Sequence, residues 1–277
     1  MSSLDAVLKQ YENSKNLSSG GGISMEERMK RYFAPILKEN EKTGQRRIRI
    51  LPTPDGSSPF KEAWYHEIQI NGQINRLYDP GKNDNERSPL NEVYEELVST
   101  GKESDKELAR QYRSRKFYIV KVIDRDNEQD GPKFWRFKHN YRNEGALDKI
   151  IPIWRNKGDI TDPQAGRDLI IELSRAKSTT GREYTIISTI MYDDPSPVHT
   201  DKELQNLWVG DDTEWTDVYS KKPVEYLEAV ARGETPKWDS DKGGYVYSNS
   251  LENQEVFGGG KTEDPQKNSE VDTDLPF

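Results

Sequence analysis

No cysteine occurs in the 277 residues, and histidine appears only three times. Disulfides, thiolate zinc sites and cysteine nucleophiles are therefore excluded, and an intracellular setting is expected. His66, His139 and His199 share no ligand spacing, so no metal and no other cofactor is expected. Apolar runs are short: none approaches the ~20 residues of a membrane-spanning helix, and the first residues lack the basic-then-apolar pattern of a secretory signal. No glycine-rich loop leads into Lys-Ser or Lys-Thr, which removes the common phosphate cradle. Hydrophobic residues make up only 32% and mean hydropathy is −1.02, so a modest core with long loops and disordered ends is expected.

Aromatic residues, by contrast, reach 10%, with 14 Tyr and 6 Trp, which requires a folded middle and supplies flat rings for recognition. The net charge of −8 conceals strong segregation. Residues 192–217 contribute −7 and residues 258–277 contribute −3, leaving about +2 for the rest, where the basic residues cluster.

The order of elements follows from periodicity. Leu4, Val7, Leu8 and Tyr11 predict a short amphipathic helix, followed by the linker Ser18-Ser19-Gly20-Gly21-Gly22. Residues 1–22 thus form an arm, a candidate for contact with neighbouring copies. Ser24 and Glu27 predict a capped helix through Phe33. Strands are expected at Arg47–Leu51, Trp64–Ile70 and Gln73–Tyr78, the last two joined by the Asn71-Gly72 turn. Helices follow at Leu90–Leu97 and Asp105–Tyr112, then strands at Lys116–Ile123 and Phe134–Lys138, a helix at Ala146–Trp154, and a hairpin from Leu169–Leu173 to Tyr184–Ile190. Beyond Asp193 the chain is acidic, with one helix at Pro223–Arg232. The expected fold is mainly β with inserted helices (α+β). Its core is a single five-stranded Greek-key barrel of the OB type over residues 23–192, with a helical and hairpin subdomain inserted at about 71–115. Residues 193–257 form an acidic segment with the C-terminal helix, and 258–277 a flexible acidic tail.

Two segments interleave cations with rings. One holds Arg110, Tyr112, Arg113, Arg115, Lys116, Tyr118 and Lys121; the other holds Lys133, Trp135, Arg136, Phe137, Lys138, Tyr141 and Arg142. Weaker clusters are Arg175, Lys177, Arg182 and Tyr184, and Arg46, Arg47 and Arg49. Single-stranded nucleic acid offers phosphates to the cations and unstacked bases to the rings, which a sequence-indifferent binder needs together. Side chains alternate across a strand, so half of these rings belong to a core; Phe117, Ile119 and Val120 read as buried.

The chain ends in Asp272-Thr273-Asp274-Leu275-Pro276-Phe277, acids followed by apolar residues and a terminal carboxylate. This resembles the C-terminal tip of bacterial single-stranded-DNA-binding proteins, which implies docking of replication, recombination and repair proteins by Asp272, Asp274, Leu275, Pro276 and Phe277. Residues of about 45–190 resemble a second family, the helix-destabilising single-stranded-DNA-binding proteins of T4-like phages. The landmarks are Arg47-Ile48-Arg49-Ile50-Leu51-Pro52, Pro59-Phe60, His66 ahead of Asn71-Gly72, Tyr118–Asp124, Lys133–Phe137 and Leu147–Ile150. That resemblance implies an OB-fold core, single-stranded DNA as partner, a bacterial host cytoplasm if the chain is phage-encoded, and DNA contact at Tyr118, Trp135, Arg136, Phe137 and Tyr184. It also implies a zinc subdomain with one His and three Cys. Here His66 takes the His position, but Ser88 and Asn91 stand where two of the Cys would, and hydroxyl and amide groups do not replace thiolates. A metal-free subdomain packed around Leu77, Tyr78, Leu90, Val93 and Tyr94 is expected, with His66 structural or exposed. The N-terminal arm departs too, because Asp5 and Glu12 offset Lys9 and Lys15.

The chain reads as a binder rather than an enzyme. One rival is a metal-dependent nuclease using Asp193-Asp194 and Asp211-Asp212. Another is a protein-only adaptor, whose barrel and tail would each hold a protein.

Overall fold

The computed structural model describes residues 30–178, 181, 183–219, 221–239 and 244–249. The fold is mixed α+β, dominated by strands, and the chain divides into two units. Of the described residues, one unit comprises those up to 63 and 116–219, the other 64–115 and those from 221 on, so the chain changes unit within the strands that begin at Lys61 and Ser114. The predicted tail and tip (258–277), the N-terminal arm and Arg182 lie outside the described residues.

In the first unit the alternating run Arg47-Ile48-Arg49-Ile50 becomes part of β2 (Thr43–Ile50). It lies between β5 (Ser114–Asp124) and β7 (Arg167–Lys177), antiparallel to both. The spatial order is β1 (Tyr32–Phe33), β6 (Pro132–Lys138), β5, β2, β7 and β8 (Glu183–Pro195). The sheet is open and does not close into the expected barrel. The helix α4 (Ala146–Lys157) packs beside β8 and sends Ile150 and Ile153 into the core. The helix expected through Phe33 does not reach it; residues 24–29 of that expectation lie outside the described residues. Tyr32 and Phe33 run parallel to β6 opposite Phe134 and Trp135, because Phe33 packs edge-on against Trp135.

The core of this unit joins Ile48 and Ile50 of β2, Val120 and Val122 of β5, Trp135 and Phe137 of β6, and Leu169 and Ile171 of β7. A buried ion network lies on the other side of β2. Arg49 Nε donates to Asp168 Oδ1 at 2.7 Å, and Arg125 donates to both Asp168 oxygens at 2.9 and 3.0 Å. The two guanidinium groups also bond Ser196 and the Val198 carbonyl, fixing the start of the acidic segment. Gly166 turns the chain into β7 under a tight constraint: a Cβ there would lie 2.5 Å from the Asp162 carbonyl oxygen and 2.6 Å from that of Ile160. Gly166→Ala is expected to lower stability by about 1–3 kcal/mol, read as a lower urea midpoint at constant slope.

In the second unit, β3 (Lys61–Ile70) and β4 (Gln73–Tyr78) pair through Asn71 and Gly72, both at positive φ as a two-residue hairpin requires. Helices α1 (Pro80–Asp84), α2 (Pro89–Ser99) and α3 (Glu103–Tyr112) follow. The chain returns as α7 (Val224–Ala231) and the hairpin β9 (Glu234–Asp239) with β10 (Gly244–Asn249). Ile68, Leu77 and Leu90 pack on Tyr226, Leu227 and Val230 of α7, so the returning segment completes the inserted subdomain's core. Val93 and Tyr94 are only half-buried. Among the described residues no helix is long and apolar enough to cross a membrane.

Candidate nucleic-acid interface

Strand alternation decides which predicted rings reach the surface. Tyr118 and Val120 of β5 stand opposite Phe137 and Trp135 of β6 and turn into the core. Trp135 is 1% exposed, which removes it from the rings able to stack on a base, contrary to the sequence expectation. Tyr118 (9%) and Phe137 (8%) are also buried, apart from an edge. From them a ladder of rings climbs outward. Phe137 packs on Tyr118 at 5.8 Å between centroids, Tyr118 on His139 at 5.7 Å, and His139 on Tyr141 at 4.4 Å. Tyr141 is 67% exposed. Phe60 extends the cluster sideways, lying 6.3 Å from Phe137 and 6.1 Å from half-buried Trp154 of α4.

The turn that carries Tyr141 is built locally. His139 N donates to the Lys116 carbonyl at 2.9 Å, Asn140 Oδ1 accepts from Arg142 N at 2.7 Å, and Asn143 supplies the left-handed residue. Lys116 Nζ lies 5.3 Å from the Tyr118 ring and pairs with Glu62, which holds its ammonium above the ordinary lysine range. Arg142 is exposed beside Tyr141.

The remaining predicted contacts divide. On the opposite face of β5–β6, Lys121 pairs with Asp211 at 2.8 Å, and the Arg136 guanidinium lies 4.4 Å from the Tyr219 ring. Lys138 is exposed on the same face. Arg46 and Arg175 turn out to be internal clamps: Arg46 bonds the Ile36 carbonyl, and Arg175 those of Leu37, Lys38 and Glu41. Arg47 is half-exposed and paired with Asp193, and Lys177 with Glu183. Tyr184 is exposed on β8. Tyr112, Arg113 and Arg115 belong to the second unit, where Tyr112 packs on the core, Arg113 is exposed and Arg115 pairs with Glu67.

Sequence reasoning missed His139, Phe60 and Trp154 as members of one aromatic patch. It also missed Tyr192, whose ring lies 5.0 Å from the Lys157 ammonium and 5.5 Å from the Arg167 guanidinium. The short spacing Tyr118–His139–Tyr141 across a hairpin was a usable signal, whereas Phe60 and Trp154 are joined only by packing.

The rival acidic pairs are tied to cations, Asp193 to Arg47 and Asp211 to Lys121 and Arg31. Among the described residues no group of three His, Asp or Glu side chains could hold a metal ion.

The second unit does gather the residues that a zinc subdomain would place together. His66 is wholly buried, its Nδ1 donating to the Tyr112 carbonyl at 2.7 Å and its Nε2 lying 3.6 Å from Asp79 Oδ1. Asp79 Oδ1 accepts from Asn91 Nδ2 at 2.8 Å and from Gly81 N at 3.0 Å. Burial alone would push the Asp79 carboxyl up, but His66, Ser114 and Asn91 outweigh it and hold the group well below the usual carboxylate range. Asn91 turns its amide hydrogens inward, and Ser88 contributes a hydroxyl. This set does not fit zinc. Instead a buried polar cluster joins β3, the start of α1 and α2: His66 is held by the Tyr112 carbonyl and lies beside Asp79, which Asn91 and Gly81 hydrogen-bond.

No protein-family model matches the chain, and no curated protein matches it either.

Proposed function

We propose that the chain binds single-stranded nucleic acid without sequence preference, as a non-catalytic protein built on a sheet of OB type left open at β8. The observation that carries this reading is the ring ladder from Phe137 through Tyr118 and His139 to exposed Tyr141, flanked by Lys116 and Arg142. Rings fixed from the core outward present a stacking face at low entropic cost, and adjacent cations supply phosphate neutralisation. Single-stranded DNA is the polymer the family resemblance favours. On the same reading, the acidic tip Asp272–Phe277 recruits replication, recombination and repair proteins, and the N-terminal arm contacts neighbouring copies.

The test is a titration of the full chain with oligo-dT against duplex DNA at several salt concentrations. Binding of the single strand that weakens steeply with salt is expected. Tyr141→Ala should remove about 1–3 kcal/mol of it, roughly 5- to 150-fold in Kd. Equal affinity for duplex, or an unchanged Kd in the variant, would refute the ladder as the contact surface.

A further inference from the structure

The outer face of β5–β6 carries the strongest alternation of cations and rings in the chain, Phe117, Lys121, Phe134, Arg136 and Lys138, yet Phe117, Ile119 and Phe134 on it are buried. Part of what covers this face is a segment more than 70 residues away in sequence. Asp211 pairs its carboxylate with Lys121 at 2.8 Å and accepts a hydrogen bond from it through its carbonyl at 2.7 Å. Arg31 reaches the same stretch, bonding Thr213 Oγ1 at 3.1 Å and lying 3.8 Å from Asp211 Oδ1. The stretch Asp211-Asp212-Thr213-Glu214-Trp215 presents three carboxylates and an indole. Those are the two chemistries, anion and flat ring, that a nucleotide strand offers to the same lysine.

The segment is anchored at both ends but not pressed flat between them. Upstream, α5 (Lys202–Val209) buries Trp208 beside Ile123 and Val198. Downstream, Val218 and Tyr219 are buried, Tyr32 Oη donates to the Val218 carbonyl at 3.0 Å, and Tyr219 Oη donates to that of Phe134 at 3.4 Å. Between the anchors, beside the Lys121–Asp211 contact, a cavity of about 280 Å³ is lined by Asp211–Trp215 together with Lys61, Ile119 and Phe134.

We propose that residues 211–215 are an internal strap that occupies the cationic face in place of a polyanion, and that it lifts when single-stranded nucleic acid engages Lys121 and Arg31. This rests on the nucleic-acid reading above and adds a regulatory element to it. The strap makes binding a competition: the strand must break the Asp211 pairs before it can use those cations, so weak or short polyanions are turned away.

Two measurements on the full chain test it. The first is hydrogen exchange of the amides of 211–215 with and without saturating oligo-dT; faster exchange in the complex is expected, and unchanged or slower exchange overturns the proposal. The second is the affinity of Asp211→Asn/Asp212→Asn/Glu214→Gln. With the competing charges gone, oligo-dT should bind about tenfold more tightly at low salt, the gain shrinking as salt screens the pairs. A variant that binds no more tightly than the parent overturns the strap while leaving the ring-ladder reading intact. Failure of the parent chain to bind oligo-dT at any salt concentration removes both.

Discussion

Asp168→Ala is expected to destabilise the first unit by about 3–5 kcal/mol, because it leaves the buried Arg49 guanidinium without its paired carboxylate and Arg125 with Glu128 alone. Arg49 is fully buried, and Asp168 and Arg125 are nearly so. Burial pushes the Arg49 guanidinium down, with Asp168 offsetting part of the shift. For Arg125 burial acts in the same direction but is outweighed by the hydrogen bond and charge of Asp168 and by Glu128, and the group ends above its ordinary value. Arg49 therefore depends on Asp168 for its ion pair, and Arg125 on Asp168 together with Glu128. Urea unfolding should show a lower midpoint at unchanged slope. Exchanging Arg49 and Asp168 together for apolar residues should cost less than the sum of the single changes, since the buried Arg49 charge is removed with its partner and Arg125 keeps Glu128. A loss below about 1 kcal/mol for Asp168→Ala would mean that the network behaves as an exposed pair. The consequence extends past stability, because Arg49 and Arg125 also hold Ser196 and Val198, from which the chain runs to α5 and the strap.

The second large effect concerns Asp79. Asp79→Ala should cost the second unit about 3–5 kcal/mol, since it strips the partner from buried His66 and the acceptor from Asn91 and from Gly81 at the start of α1. The same residue gives the unit an acid dependence. Its folded pKa lies below the ordinary 3.8, so above that value the carboxylate is ionised in folded and unfolded chains alike and its contribution is present in full. As pH falls below about 3.8 the unfolded chain takes up a proton that the folded chain resists, and stability drains away toward the lower, folded pKa. Subtracting the stability profile of Asp79→Asn from that of the parent isolates this residue from the other carboxylates. The difference should be flat above about pH 4 and shrink below it; a difference that grows on acidification would contradict the assigned direction. Chelator should change neither profile, because the cluster is held by hydrogen bonds.

Much of the local architecture was legible from residue types. Asn71-Gly72 specified a two-residue hairpin, and the chain made it with both residues at positive φ, where their side chains allow it. Helices α2, α3, α4 and α7 appeared where the apolar spacing placed them, and β5 and β6 where the β-branched and aromatic runs did. Expectations failed where a partner distant in sequence intervened. Phe33 left its helical pattern to pack on Trp135, a contact no local period contains. The short helices α5 and α6 (Trp215–Val218) and the β9–β10 hairpin went unread because their segments are polar and brief.

The candidate site divides the same way. Composition and spacing put cations and rings into two adjacent strands, and alternation required that some of those rings be internal. Which ones reach solvent was beyond local pattern, because β5–β6 is covered on both faces: by the core on the side of Tyr118, Val120, Trp135 and Phe137, and in part by residues 211–219 on the side of Lys121 and Arg136. Residue types and their periods determined the strands, the hairpins and the density of charge and aromatic surface, since those depend on neighbours a few residues apart. The open sheet, the burial of Trp135 and the cover over Lys121 depended on chain segments 70 or more residues apart packing together, and only the tertiary structure decided them.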